Sequence, residues 1–190
     1  MTGVILFRAQ PFHNGHLCMI KKAVNDCKKT NSDLHIFIGS ADKSGTKRNP
    51  FPIELRYHMV RNSVKEAFTE EELAHIYIHT LKDLTDETDN SHNWGRYLFI
   101  KMLKETQDPD MTIYYSDNPA IMLGWFDEDD RWLLRFKFLD RVGGLSATQV
   151  RETILHGSNL DVQDMLPPYV YENHYRTIKD ILEEVERENV

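Results

Sequence analysis

The chain of 190 residues is poor in cysteine: Cys18 and Cys27 are its only two. Both fall in a stretch that reads as the first helix, nine positions apart, and at about 100° per residue they sit on nearly opposite faces. That spacing excludes a disulfide or a shared metal for the pair and fits a reducing compartment. Long apolar runs are lacking as well. The first, Val4-Ile5-Leu6-Phe7, is cut by Arg8, which is too short for a secretory core segment or a membrane span. A cytoplasmic location and no membrane partner are therefore expected. There is no internal repeat and no low-complexity tract. Positive charge is scarce too, with 23 Lys and Arg against 30 Asp and Glu and a net charge of −7, so nucleic acid is a poor partner. An acidic chain is equally unsuited to small phosphorylated ligands unless its cations gather locally. What remains, 41% hydrophobic and 28% charged residues, is the make-up of a soluble globular protein long enough for one domain with a real core.

Hydrophobic periodicity orders that domain. Residues 3–7, 34–38, 75–81, 111–115 and 136–139 read as strands. Helices are expected over 15–29, 53–68 and 92–106, with a short one near 119–124. In the first, Leu17, Ile20, Val24 and Cys27 point inward; in the second, Leu55, Met59, Val60, Val64 and Ala67 do. The acidic run from Asp127 to Asp130 reads as a solvated loop. After Gly143-Gly144 only helices follow, at about 147–156 and 168–187. Strands alternating with helices predict an α/β fold with a doubly wound parallel sheet. Residues 1–142 form its Rossmann-like core. Residues 143–190 form a C-terminal helical segment of the same structural unit. In such folds ligands bind at the carboxyl ends of the strands, so the loops at 8–16, 39–52, 82–94 and 116–119 are expected to share one edge.

Four segments on that edge carry chemistry. Phe12-His13-Asn14-Gly15-His16 follows a strand and opens a helix, where free N–H groups and the helix dipole favour an anion. His13 and His16 could both donate to phosphate; a zinc site is a poorer reading because no third ligand is evident. The loop from Gly39 to Phe51 contains Lys43, Lys47 and Arg48, and a guanidinium is a fork-shaped donor to phosphate oxygens. Ser146 and Gln149 have capping-box spacing, so a helix start there presents Thr148 and Arg151. Asn93-Trp94 lies behind a polar loop, and an indole at that place can stack on an aromatic base. Each segment taken singly also fits a plain role as helix cap, surface loop or core aromatic. Their joint occurrence in this order is what singles them out.

Taken together these motifs resemble the nucleotidyltransferases with a His-x-Gly-His signature, and within them the nicotinamide mononucleotide adenylyltransferases of the archaeal type. The family's G-R-F-Q-P-x-H-x-G-H pattern reads here as Phe7 to His16, its G-S-A…N-P-F loop as Gly39 to Phe51, and its S-x-T-x-x-R as Ser146 to Arg151. The chain departs at Phe7, where glycine is usual, at Ala9, where a bulky residue is usual, and at Asp117. Its segment from Asp83 to Trp94 is longer.

The resemblance implies an enzyme that transfers AMP from ATP to nicotinamide mononucleotide, giving NAD and pyrophosphate, with Mg²⁺ accompanying ATP and no protein metal site. It gives His13, His16, Arg48 and Arg151 the catalytic positions. Arg8, Gln10, Gly15, Gly39, Ser40, Asn118, Ser146 and Thr148 go to ATP, and Asp83, Asn93 and Trp94 to the acceptor. Relatives of this type are often homo-oligomers. A cytidylyltransferase, a pantetheine-phosphate adenylyltransferase and a non-catalytic nucleotide sensor stay open as alternatives.

Overall fold

Residues 1–84, 92–116, 118–140 and 144–188 are described by the computed structural model. Five strands, β1 (Thr2–Phe7), β2 (Leu34–Ile38), β3 (Ile76–Thr80), β4 (Met111–Tyr115) and β5 (Leu134–Phe138), form one sheet in the order β3-β2-β1-β4-β5. Every pairing is parallel, with registers such as Val4 opposite His35 and Ile113. β2 and β4 are buried along their whole length and β1 almost so, as expected for inner strands covered on both faces. The edge strands β3 and β5 are partly exposed.

The helices are α1 (Asn14–Lys29), α2 (Ile53–Ala67), α3 (Glu70–Leu73), α4 (His92–Thr106), α5 (Pro119–Gly124), α6 (Glu128–Leu133), α7 (Ala147–His156), α8 (Asn159–Met165) and α9 (Pro168–Glu188). Two cores flank the sheet. On one face Ile20, Val24, Met59 and Val60 of α1 and α2 meet Val150, Val162, Ile178 and Leu182 of α7–α9. The C-terminal helices therefore share the core of α1 and α2. On the other face Trp94, Leu98 and Met102 of α4 pack with Met122 and Phe126. The chain runs outward from β1 to β3 and then returns to place β4 on the other side of β1. This puts the switch point of the strand order between β1 and β4, where such sheets open a crevice at their carboxyl ends.

Several expectations need correction. The run from Asp127 to Asp130 is a helix start: Asp127 caps α6 by accepting from the Asp130 N–H at 2.8 Å, and Asp130 is buried. Carboxylates in a first turn are favoured by the positive end of the helix dipole, and a loop reading overlooks that. Short α3 and α8 were also not foreseen, and each opens with a capping box, Thr69–Glu72 and Ser158–Asp161. On α2 the inward stripe includes Arg56 and Ser63 as well as Met59, Val60 and Val64, while Leu55 and Ala67 are only partly covered. The boundary at 142/143, the departure at Asp117 and most of the long segment before Trp94, residues 85–91, lie outside the described residues.

Candidate active site

A cavity of about 780 Å³ opens over the carboxyl ends of β1, β2 and β4, toward the upper end of the roughly 300–1,000 Å³ typical of ligand pockets. Among the residues expected at the site, His13, His16, Arg48, Arg151, Arg8, Gln10, Gly15, Gly39, Ser40, Asn118, Ser146, Thr148, Asp83 and Trp94 all line it. Asn93 is exposed on the first turn of α4 and is not part of the lining. One residue earlier on the helix than Trp94, it falls about 100° away around the axis.

The His-x-Gly-His segment forms its own helix cap. His13 is the N-cap of α1, and its Nδ1 accepts from the Gly15 N–H at 3.1 Å. His16 Nδ1 accepts from the His13 N–H at 3.3 Å, completing a capping box built from two imidazoles. The N–H groups of His16 and Leu17 go to the His13 carbonyl. These first-turn donors are therefore already used, contrary to the expectation of free N–H groups. The cap has a chemical consequence. A neutral ring whose Nδ1 accepts must carry its proton on Nε2, which makes Nε2 the donor of each histidine. The rings are stacked with centroids 3.7 Å apart, and Phe7 and Phe12 pack on His16 at 4.6 and 5.5 Å. Phe7, where the family pattern has glycine, thus supports the His16 ring. Gly15 is needed because a Cβ there would come within 2.9 Å of the His13 ring.

Hydrogen bonds tie the loops after β1 and β2 together. The Gln10 side chain pairs with the Phe51 main chain in both directions: Nε2 donates to the carbonyl at 3.2 Å and Oε1 accepts from the N–H at 2.9 Å. Arg151, on α7, donates to the Gln10 carbonyl at 2.7 Å and to Thr148 Oγ1 at 3.3 Å. Burial first, and the nearby positive charge of Arg8 second, lower the Arg151 pKa. Two guanidiniums close enough to disfavour each other's charge suit a polyanion between them. Arg48 lines the same cavity from the exposed tip of the second loop. Ser146 caps α7 by accepting from the Gln149 N–H at 3.2 Å, as its spacing predicted. Asn118 caps α5 through the Ala120 N–H at 2.9 Å.

Trp94, 9% exposed, lies 5.6 Å from the Tyr97 ring and edge-on to Trp125 at 6.1 Å. Asp83 accepts from the Ser40 hydroxyl at 3.2 Å, while its own N–H donates to Asp42 at 2.9 Å. Burial, with a smaller contribution from Asp42, raises the Asp83 pKa against the lowering effect of Ser40. The same two carboxylates, after burial, raise the pKa of Tyr97. Asp83 thus brings a carboxylate to the cavity beside Trp94, and Arg8 and Arg151 bring positive charge to it.

Sequence reasoning missed Leu84, Met122 and Trp125, which line the cavity, and Arg56. The last is fully buried and donates to four main-chain carbonyls around the site. Its position did carry a signal, because Arg56, Met59, Val60, Ser63 and Val64 follow the spacing of an inward helical stripe. Two residues that adjoin its partners, Ala9 at φ 55° and Ser40 at φ 50°, occupy the left-handed region. Non-glycine residues there carry about 1–2 kcal/mol of strain each. Among the described residues no cluster of three or more His, Cys, Asp or Glu side chains is placed to hold a metal ion. No described helix is long and apolar enough to cross a membrane.

A parallel sheet of this order, with a basic crevice over its switch point and a histidine-capped helix at the crevice floor, defines a nucleotide-binding protein with the Rossmann-like nucleotidyltransferase fold. The chain belongs to the cytidylyltransferase-like family, whose model matches residues 8–152. Two archaeal relatives are nicotinamide-nucleotide adenylyltransferases. That of Halorubrum lacusprofundi is 28% identical over 98% of this chain and 88% of the relative. That of Methanococcus aeolicus is 29% identical over 100% of this chain and 92% of the relative. A solved structure, the bifunctional NMN adenylyltransferase/ADP ribose pyrophosphatase of Francisella tularensis complexed with AMP and manganese, superposes with a TM-score of 0.73 at 22% identity. The match covers 99% of this chain and 52% of that one, so the chain spans about half the length of that protein.

Proposed function

We propose that this chain transfers the adenylyl group of ATP to nicotinamide mononucleotide, releasing pyrophosphate and giving NAD. The observation that carries the reading is the gathering of Arg8, Arg48 and Arg151 with the His13–His16 pair on one side of a single cavity whose other side holds Trp94. The archaeal relatives of almost the same length support the choice of acceptor.

The acceptor's phosphate monoester, with a second pKa of about 6, is mostly dianionic at neutral pH and is its own nucleophile. It attacks the α-phosphorus in line, the bond to the bridging oxygen breaks, and pyrophosphate leaves with the electron pair. No protein base is required, so the work is positioning and neutralising charge. His13 and His16 donate through Nε2–H to triphosphate oxygens and to the charge that develops on the bridging oxygen. Arg8, Arg48 and Arg151 hold the triphosphate and the leaving pyrophosphate, with Thr148 and Ser146 at the start of α7 beside them. Gln10 acts through the backbone it braces. Gly39 and Ser40 form the loop edge against the nucleotide, and Asn118 faces the nucleoside. Mg²⁺ would enter with ATP and would supply charge neutralisation at the phosphates beside Arg8, Arg48 and Arg151.

Trp94 stacks on the pyridine ring. Asp83 lines that end, and its carboxylate favours the uncharged carboxamide over a carboxylate on the ring. Residues 1–142 and 143–190 serve this site as one unit, since the second segment supplies Arg151. The test is pyrophosphate release with ATP and Mg²⁺ across four acceptors: nicotinamide mononucleotide, its acid analogue, phosphopantetheine and FMN. The fastest release is expected with the first, and none with either pyridine nucleotide would overturn the proposal.

A further inference from the structure

Arg56 belongs to none of the motifs that carry the proposed reaction, yet it heads the fully buried side chains by volume. A buried guanidinium is a costly group, and burial here lowers its pKa to about 10. All four of its hydrogen bonds go to main-chain oxygens. Nε donates to Phe51 at 3.0 Å, Nη1 to Arg8 at 2.9 Å and Gly39 at 2.8 Å, and Nη2 to Ser40 at 2.9 Å. Those oxygens come from the loop after β1, the loop after β2, and the residues leading into α2.

Two of them adjoin strained backbone. The Arg8 carbonyl belongs to the peptide leading into Ala9, and the Ser40 carbonyl belongs to the other left-handed residue. Such conformations persist only where the surroundings hold them. Three of the four residues that Arg56 grips, Arg8, Gly39 and Ser40, also line the cavity. A lysine could not replace it. An ammonium has three donors diverging from a point, whereas the planar guanidinium spans oxygens from three segments at once.

We propose that Arg56 is a positioning residue, a buried clamp that holds the loops after β1 and β2 in the shape that receives the ATP phosphates before ATP arrives. The inference rests on the proposed adenylyl transfer and deepens it. A preformed site spares ATP the work of ordering the loops. Loss of the clamp should therefore appear chiefly in ATP affinity, with a smaller effect on the acceptor through the Ser40–Asp83 hydrogen bond.

The test compares wild type with Arg56→Lys, well below the melting temperature, by calorimetry with ATP and by steady-state kinetics. ATP affinity should fall about tenfold or more, ATP KM should rise with it, and acceptor KM should rise by a clearly smaller factor. Adding Ala9→Gly to Arg56→Lys should recover part of the lost ATP affinity, because glycine takes the left-handed conformation without a clamp. ATP affinity within about twofold of wild type, or equal losses for ATP and acceptor, would overturn the clamp. Should Arg56→Lys fail to fold, the wild-type protein decides. A sharp, slowly exchanging Arg56 Nε–H resonance without ATP supports the clamp, and one that emerges only with ATP overturns it. Failure of the functional reading is separable, because wild type would then release no pyrophosphate with ATP and nicotinamide mononucleotide, whether or not it binds ATP.

Discussion

Gly95 follows Trp94 on α4, and replacing it by alanine tests how the Trp94 side of the cavity is built. A Cβ at 95 would lie 1.8 Å from the Trp125 carbonyl oxygen, 2.5 Å from its carbon and 3.2 Å from the Phe126 nitrogen. These are backbone atoms, so no rotamer relieves the clash. A carbon–oxygen contact closes at about 3.3 Å, so α4 and the Trp125 turn must part by about 1.5 Å. Overpacking of this kind costs about 1–3 kcal/mol, and the better helix propensity of alanine offsets about 1 kcal/mol. The net loss of up to about 2 kcal/mol lowers the melting temperature of a chain this long by up to about 8 °C. The same displacement moves Trp94 against Trp125, and kcat/KM for the acceptor should fall about 10- to 100-fold. ATP KM should hold within about twofold, since the loops tied by Gln10 and Arg151 lie on the other side. Thermal melts and initial rates at varied ATP and acceptor read both effects. An unchanged melting temperature with unchanged acceptor kinetics would refute the close approach of α4 to Trp125.

Three further outcomes are expected. His16→Ala should lower kcat far more than it raises ATP KM; equal losses in both would remove His16 from transition-state stabilisation. Trp94→Ala should raise acceptor KM more than ATP KM, and an unmoved acceptor KM would leave Trp94 as packing alone. The third concerns pH. His35 Nδ1 lies 3.0 Å from His79 Nε2, and His79 Nδ1 lies 3.4 Å from the Glu105 carboxylate. Burial, then the neighbouring His79, pushes the His35 pKa down to about 4, and burial lowers His79 too, against the pull of Asp33 and Glu105. In the unfolded chain both rings protonate near pH 6.5. Between these values the unfolded state binds more protons, so stability is complete above about pH 6.5 and drains as pH falls toward about 4. Melting temperatures between pH 7 and pH 4.5 should therefore drop more steeply for wild type than for His35→Phe, and parallel profiles would contradict this.

What was legible in the sequence was local. Apolar runs such as Leu34 to Ile38 and Met111 to Tyr115 announced inner strands, because parallel strands covered on both faces need no polar alternation. Ser146–Gln149 announced a helix start by spacing alone. Local chemistry misled at Asp127 to Asp130, where side chains that favour solvent equally favour a helix N-terminus. The α2 stripe signalled that Arg56 points inward, but what it binds was hidden for a different reason. Its partners are 5 to 48 positions away in the chain, and only the folded loops put their carbonyls around one point. Trp125 and Gly95 were hidden likewise, since their closeness depends on how α4 packs against the turn after α5. The His13–His16 pair was found by motif, but its mutual capping, which fixes the donor nitrogen, depends on ring orientations that four letters do not specify.

The central claim is that the adenylyl group moves by attack on the α-phosphorus of ATP, and isotope placement tests it most directly. The protein is incubated with Mg²⁺ and nicotinamide mononucleotide, once with ATP labelled at the α-phosphorus and once at the γ-phosphorus. The account predicts α-label in the dinucleotide and γ-label in pyrophosphate. Dinucleotide without α-label, γ-label transferred to the mononucleotide, or no dinucleotide at all would contradict it.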